Sequence, residues 1–185
     1  MDGGFAYPAY AQALANLCEK RGSSFAYLST DPSAEESSNY KTDIVAYRNS
    51  LNLNTSYASL FAGWVKIYDS YNKKNVWVSP DGFAAASQAY TTREFAMWYP
   101  AAGYQRGKLT ALDIKRKFSV GDRDFLYDNQ VNPIRYKQGS GFVIWGNKTL
   151  LTKPSPLQLR SVRMLLIVIK WRTIVTGKQI GRAHV

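Results

Sequence analysis

"GFVIWGNKTL", residues 141–150, decides how this sequence is read. Taken as a loop, it approaches the phosphate-binding pattern G-x-x-x-x-G-K-[ST]. Gly141 and Gly146 have the required separation, and Lys148 and Thr149 follow. That pattern works because a flexible, glycine-rich backbone wraps its N–H groups around the phosphates. Here the intervening residues are Phe142, Val143, Ile144 and Trp145, which belong in a strand. Asn147 also pushes Lys148 out of register, and Gly146-Asn147 suits a turn. The stretch reads as strand then turn, and a nucleotide site is not expected.

Working outward, "NPIRY" (132–136) and "GFVIW" (141–145) flank "KQGS" and form a β-hairpin. Before it, "SVGDRDFLYDNQ" (119–130) suits a short helix with Phe125, Leu126 and Tyr127 available for packing. Asp122, Asp124 and Asp128 sit on that segment with Arg123 among them. Acid–base catalysis needs carboxylates in a cleft; on a segment expected to be exposed, capping and surface pairing are the roles anticipated. After the hairpin, "SPLQLRSVRMLLIVIKWR" (155–172) reads as one helix with Pro156 in its first turn. Leu159, Val162, Leu165, Leu166 and Ile169 share a face, with Arg160, Arg163, Lys170 and Arg172 as basic edges. "LTALDIKRKFS" (109–119) fits strand or helix.

The first part has an α/β rhythm. "PAYAQALANLCEKR" (8–21) puts Tyr10, Ala13, Leu14, Leu17 and Cys18 on one helical face, and Gly22 supplies a stop. "SFAYLS" (24–29) suits a buried strand. A helix then starts near Asp31, capped by Asp31 ahead of Pro32 or by a Ser33–Glu36 box, and runs to about Leu51 with Tyr40, Ile44, Tyr47 and Leu51 inward. "YASLFAG" (57–63) is the next strand. "WVKIYD" (64–69) and "VWVS" (76–79) bracket a turn. A small-residue helix follows, in which Ala84 to Ala86 and Ala89 allow close packing. "MWYPAAGYQRG" (97–107) reads as a linker. The expected class is mixed α+β: a parallel-type α/β layer first, then a smaller helix-plus-hairpin core domain.

Bulk properties bound the function. The 185 residues carry a formal net charge of +11. Residues 1–100 hold 8 Lys/Arg and 9 Asp/Glu, whereas residues 101–185 hold 16 and 4. The basic excess therefore lies wholly in the second part, which points to an anionic partner or to a solvated basic face. A basic, aromatic half also fits a nucleic-acid-binding module, although aromatics alternating within strands are first a core signal. The longest apolar run, Met164–Ile169, is too short to span a bilayer. No secretion signal is evident at the start. Cys18 is the single cysteine, so no internal disulfide or cysteine metal cluster is expected.

The end of the chain has its own reading. Gln179–Val185 back-translates as CAG ATC GGA AGA GCA CAC GTC, which after its first base resembles the start of a common sequencing-library adapter. Read-through into adapter is the expectation for 179–185, and the origin of 173–178 is open. The only histidine, His184, falls there. Without it the chain has no histidine for a Ser-His pair or a zinc site.

Several ordered motifs resemble one family. "VSPDGFAAASQAY" with "MWYPAAGYQRG" is similar to a helix-plus-linker segment of the contractile tail sheath proteins of bacteriophages. The spacings D-x-L-Y-D-x-x-V-N-P-I-R (124–135), G-x-x-x-W-G-x-K-T-L (141–150) and V-R-x-L-L-I-x-I (162–169) resemble the C-terminal core of the same proteins. "MDGGF", "LCEKRG" and "YRNSLNLNTSYASLF" fit the preceding, subtilisin-like sheath domain. The resemblance covers nearly all of residues 1–170. Family members are usually several hundred residues long, so the chain is expected to be an interior slice. Met1 is then an internal methionine, continuing a strand from upstream.

The resemblance implies residues 1–104 as part of the subtilisin-like domain, without protease activity, and 105–172 as the C-terminal core domain. It implies a structural subunit, not an enzyme, with no cofactor and no metal. The subunit polymerises around the tail tube and contracts to drive the tube through the host envelope. Its partners are other sheath subunits, the tube protein, and the baseplate and terminator proteins; neither membrane insertion nor nucleic acid is expected. It is assembled in the host cytoplasm and resides in the virion tail. Phe142, Val143, Ile144 and Trp145 are expected to form a sheet edge completed by arms of neighbours. Arg160, Arg163 and Lys170 are expected on a basic helix facing an acidic tube. Unpaired edges would make the isolated chain prone to aggregate. The sheath of a related injection device, tailocin or secretion system, is the near alternative.

Overall fold

The computed structural model describes residues 7–170. The expectations placed on Met1, on 173–178 and on 179–185 with His184 lie outside them.

Helix α1 (Pro8–Arg21) starts with proline in its first turn and stops at Gly22, whose φ of 65° lets its N–H reach the Cys18 carbonyl at 2.9 Å. Its buried side is Ala11, Ala15 and Cys18. Tyr10 and Leu17, expected inward, are mostly exposed. The two alanines bring the helix close to the sheet, and larger side chains would hold it off. Strand β1 (Ala26–Ser29) follows.

The single helix expected from Asp31 to Leu51 is two: α2 (Pro32–Glu36) and α3 (Tyr40–Ser50). Asp31 caps α2 by accepting from the Ser33 amide at 2.9 Å. Ser37 then turns extended, at ψ 151°, which breaks the helix. Ile44 points inward as anticipated, and Leu51 is buried just beyond α3.

Strand β2 (Ala58–Ala62) is buried along its whole length. Such two-sided burial is the mark of a strand covered on both faces. Strands β3 (Val65–Asp69) and β4 (Lys74–Val78) form the anticipated hairpin. Helix α4 (Pro80–Glu94) turns Ala84, Ser87, Gln88 and Thr91 inward; Ala86 and Ala89 face out, contrary to the packing expected of them. The 97–107 linker is itself folded, with a short helix α5 (Gly103–Arg106) and a wholly buried Ala101.

The ambiguous 109–119 stretch is extended: β5 (Lys108–Leu109) and β6 (Asp113–Ile114) are two-residue strands at its start. Helix α6 (Val120–Asp128), strand β7 (Val131–Lys137) and strand β8 (Gly141–Ile144) match the expected helix and hairpin. The last segment is not one helix from 155. A 3-10 turn (Pro156–Gln158) is followed by extended Leu159, bridged to Lys148, and only then by helix α7 (160–170).

The main sheet has the order β1-β2-β7-β8-β5. Its first three strands are parallel, with Ala26 opposite Ala58 and Leu60 opposite Val131. The rest is antiparallel, Ile134 facing Ile144 and Lys108 facing Val143. A three-stranded antiparallel sheet, β4-β3-β6, stands beside it. The class is mixed α+β as expected. The main sheet, however, crosses the anticipated 104/105 boundary through the β2–β7 pair. Alternation along β2 divides the core. Leu60 packs with Leu28, Ile44 and Leu126, while Phe61 packs with Ala84, Ile134 and Ile144.

Candidate functional site

The turn after β8 is held from within. Asn132 in β7 accepts from the Lys148 amide at 2.8 Å and donates to the carbonyls of Lys148 (2.9 Å) and Leu60 (3.0 Å). Gly146 must be glycine because a Cβ there would strike the Asn132 side chain and backbone. The Lys148 ammonium donates to the Tyr127 carbonyl at 2.8 Å and lies 4.0 Å from the Tyr127 ring centre. Thr149 is buried and donates to the Leu157 carbonyl. The residues that mimic a phosphate loop are thus occupied in packing the C-terminal segment onto the sheet.

The anticipated open edge at Phe142, Val143, Ile144 and Trp145 is corrected by the pairing. Strand β8 has β7 on one side and β5 on the other, with Leu109 facing Phe142, and the Ile144 amide donates to the Gly107 carbonyl at 2.8 Å. Phe142, Val143 and Ile144 are buried; only Trp145 is exposed, at 38%. The sequence was ambiguous from Leu109 to Ser119, so the covering strand Lys108–Leu109 could not be seen. Trp145 instead joins a cation–aromatic patch. Its ring meets Tyr104 edge-on at 5.6 Å, and the Arg135 guanidinium lies 4.5 Å from it.

The edge strands of the main sheet are β1 and β5. Ser29 of β1 is wholly buried, whereas Lys108 and Thr110 beside β5 are exposed. The Gly107 carbonyl points at β8, so by alternation the main chain of Lys108 and Thr110 points outward. A cleft of about 440 Å³ lies alongside, lined by Phe83, Ala86, Tyr90, Arg106 and Leu109 among others.

Helix α7 is rotated from the expected orientation. Its buried residues are Arg160, Met164 and Ile167, while Leu165, Leu166 and Ile169 are substantially exposed. Arg160 therefore does not present its charge outward. It is fully buried, donates to the Ala101 carbonyl at 3.0 Å and lies 5.2 Å from the Phe61 ring centre. Arg163 is half-buried, 4.1 Å from the Tyr57 ring centre, and donates to the Ser56 hydroxyl. Lys170 is exposed beside Gly22.

Three carboxylates that the sequence did not mark as buried lie inside: Asp81 in the first turn of α4, Glu35 and Asp122. Glu35 in α2 is wholly buried and accepts from the Thr30 hydroxyl (2.6 Å) and the amides of Gly63 (2.7 Å) and Trp64 (3.0 Å). Burial raises its carboxyl above the ordinary range, against the pull of those donors. Asp122, on the segment expected to be exposed, is 5% exposed. It forms a capping box with Ser119 and accepts from the Tyr40 hydroxyl and the Lys41 ammonium, each at 2.8 Å. Burial would raise its carboxyl, but the Lys41, Ser119 and Tyr40 donors together hold it well below the usual carboxylate range. Ser119 spaced three residues from Asp122 was a readable capping signal. "PSAEE" carried no sign that Glu35 would be inside.

Among the described residues no group of three His, Cys, Asp or Glu could hold a metal ion, and no helix is long and apolar enough to cross a membrane.

No protein-family model matches the chain. Among curated proteins it is 32% identical over 134 residues to the tail sheath protein of Enterobacteria phage T4, covering 71% of this chain and 20% of that protein. It is 31% identical over 170 residues to the tail sheath protein of Salmonella phage ViI, covering 90% of this chain and 27% of that protein. The chain thus spans about a quarter or less of these relatives' length. Its fold is similar to the sheath of an extracellular contractile injection system, PVC, in the contracted state. The TM-score is 0.69 at 17% identity, over 92% of this chain and 45% of that one. It is also similar to the contracted helical sheath of the anti-feeding prophage, with a TM-score of 0.58 at 16% identity, over 86% and 48% of the two chains.

Proposed function

We propose that this chain, which belongs to the contractile tail sheath family and matches one segment of its members, works as part of a structural subunit that polymerises around a tail tube and contracts. Contraction drives the tube through the host envelope, and the work is mechanical, with the energy held in the difference between two packings. The observation that carries this reading is the agreement of a likeness in sequence with a likeness in fold. Phage tail sheath proteins are 31–32% identical in sequence, and contracted sheaths share the fold across most of the chain. Identity to phage proteins exceeds the 16–17% found with the injection-device sheaths, which favours a phage tail.

On this reading the partners are further sheath subunits, the tube protein, and baseplate and terminator proteins. Assembly takes place in the host cytoplasm and the product resides in the virion. The division at 104/105 into subtilisin-like and C-terminal core parts is then one of ancestry, since a single sheet crosses it. The strand-accepting edge belongs to β5, not β8: its outward main chain at Lys108 and Thr110 is exposed, and the adjoining cleft can take side chains of an added strand. The tube-facing role belongs to the outer side of α7, where Lys170 stands beside exposed Leu166 and Ile169.

The test is co-assembly. The purified 185-residue chain, mixed with full-length sheath subunits of a related phage, should enter or poison the polymer, as read by sedimentation and electron microscopy. Sheath of normal yield and length that excludes the chain, with salt-dependent binding of the chain to DNA, would replace this reading by a nucleic-acid-binding module.

A further inference from the structure

Strand β5 sorts the side chains of any strand laid beside it. Lys108 and Arg135 both stand opposite Val143, so Arg135, Val143 and Lys108 form one row across β7, β8 and β5. Tyr136, Phe142 and Leu109 form the next row, on the opposite face of the sheet. Lys137 and Thr110, two residues beyond Arg135 and Lys108, return to the first face.

The two faces differ in chemistry. The Lys108 face is cationic. Lys108 and Lys137 are exposed and Arg135 is half-buried, and none of the three has an ion pair among the described residues. Arg135 and Lys137 lie over aromatic rings instead, Arg135 at 4.5 Å from the centre of Trp145 and Lys137 at 4.6 Å from that of Tyr104. The Leu109 face opens on the cleft of about 440 Å³ beside α4. Phe83, Ala86 and Tyr90 are spaced three and then four residues apart on α4, on one side of the helix, and line one wall. The small Ala86 stands between the two aromatic residues and leaves room there for an apolar side chain. The cleft also reaches Lys108, Leu109 and Thr110 themselves, so the rim of the sheet is accessible along the whole strand.

We infer that β5 takes an extended polypeptide segment in which acidic and apolar residues alternate. The residue opposite Lys108 falls on the cationic face and is an Asp or Glu. The one opposite Leu109 enters the cleft and is apolar. The one opposite Thr110 is again on the cationic face, in line with Lys137, and is acidic. Opposite charges that face each other across two strands stabilise the pair, and like charges destabilise it. The backbone of the segment matches the outward N–H and C=O groups of Lys108 and Thr110, which a nucleic-acid backbone does not. A lysine on an edge also discourages unwanted pairing. Beside an apolar cleft it acts as a filter, turning away basic strands and admitting acidic ones. The inference rests on the reading of β5 as a strand-accepting edge and adds the chemistry of the strand accepted.

The experiment measures binding of short, end-capped, fluorescent peptides to the 185-residue chain by anisotropy. One peptide alternates glutamate with valine, and a second alternates lysine with valine. A third holds the glutamates and valines of the first in two blocks. The alternating glutamate peptide should bind about tenfold more tightly than either of the others. Lys108→Glu, at an exposed position, should keep the wild-type unfolding midpoint and reverse the order of the two alternating peptides. Thr110→Pro should abolish binding of both. Equal binding of the glutamate and lysine peptides, lost in Thr110→Pro, would overturn the acidic preference while leaving β5 a strand-accepting edge. Equal binding of the block peptide would overturn the alternation in the same way. Binding of no peptide, or binding that survives Thr110→Pro, would remove the edge reading and the inference with it. Self-association of the chain that Thr110→Pro abolishes and the glutamate peptide does not compete would give the edge to a second copy, and single-stranded DNA bound in place of the peptides would give it to nucleic acid; each overturns the inference. If Lys108→Glu fails to fold, the wild-type comparison and Thr110→Pro still decide.

Discussion

The carboxylate of Glu35 accepts a hydrogen bond from the amide of Gly63 at 2.7 Å, across 28 residues of sequence. With the Trp64 amide and the Thr30 hydroxyl it closes a buried knot where β2 hands over to β3. The Trp64 indole completes the knot by donating to the Thr30 carbonyl at 2.9 Å. A short surface-like helix is thereby tied to the end of the central sheet.

Removing that carboxylate leaves three donors without their acceptor. Glu35→Ala is expected to cost about 3–5 kcal/mol, and Glu35→Gln, which keeps one acceptor oxygen, about 1–2 kcal/mol, as read by urea unfolding. Because the folded carboxyl is raised, the folded state holds its proton more tightly. Its contribution is full below the ordinary value near ~4.3 and is lost as pH rises through the folded value. Glu35→Gln should lack that descending limb.

Asp122 carries the opposite sign. Its folded carboxyl is depressed, so its contribution is present above the ordinary value of about 3.9 and is lost as pH falls toward the folded one. Asp122→Asn should flatten the acid side of the stability curve. At neutral pH it should cost about 1–3 kcal/mol, because the Ser119 box and the contacts to Tyr40 and Lys41 weaken. An unchanged acid limb in urea titrations would remove this account.

Gly146 and Asn132 are one device. Gly146→Ala drives a methyl into the Asn132 side chain and backbone, for an expected loss of about 1–3 kcal/mol. Asn132→Ala leaves the Lys148 amide without its acceptor and takes one donor from each of the Leu60 and Lys148 carbonyls, the latter keeping the Ser59 hydroxyl, and should cost about 3 kcal/mol. Since both act on one contact, the double variant should cost clearly less than the sum. Additivity in a double-mutant cycle would show the two to be independent.

The proposed strand-accepting edge predicts a change that spares the monomer. Thr110→Pro removes an outward N–H beside β5 and should shift unfolding by less than about 0.5 kcal/mol. It should nevertheless abolish co-assembly with related sheath subunits. Lys170→Glu, on the exposed end of α7, should weaken assembly on the tube alone and leave tube-free polymer unchanged. Normal co-assembly by Thr110→Pro would take the edge away from β5.

The residues 141–150 show where sequence reasoning held and where it ran out. Four apolar residues before Gly146-Asn147 were enough to reject a phosphate loop, because strand formation there is a local preference. The parallel pairing of β1 and β2 followed from the helix–strand rhythm, and the β7–β8 hairpin from its turn residues. The partner of β8 on its far side was not legible, because Lys108–Leu109 is a two-residue strand with no period of its own. The inward face of α7 was misread for a related reason. Periodicity finds an apolar stripe, and here that stripe lies outside while Arg160, Met164 and Ile167 lie inside.

The sequence by itself determined where most of the longer helices and strands lie, the basic second half, and the ordered motifs that mark the family. These rest on local preference and on residue identity, which the chain carries regardless of its folding. Tertiary structure alone decided which charges are buried and which edges are covered: Glu35 and Arg160 inside, β8 paired on both sides, β5 at the rim. Those outcomes depend on contacts between residues far apart in the chain, and a long-range hydrogen bond leaves no mark on the short stretch that supplies either partner.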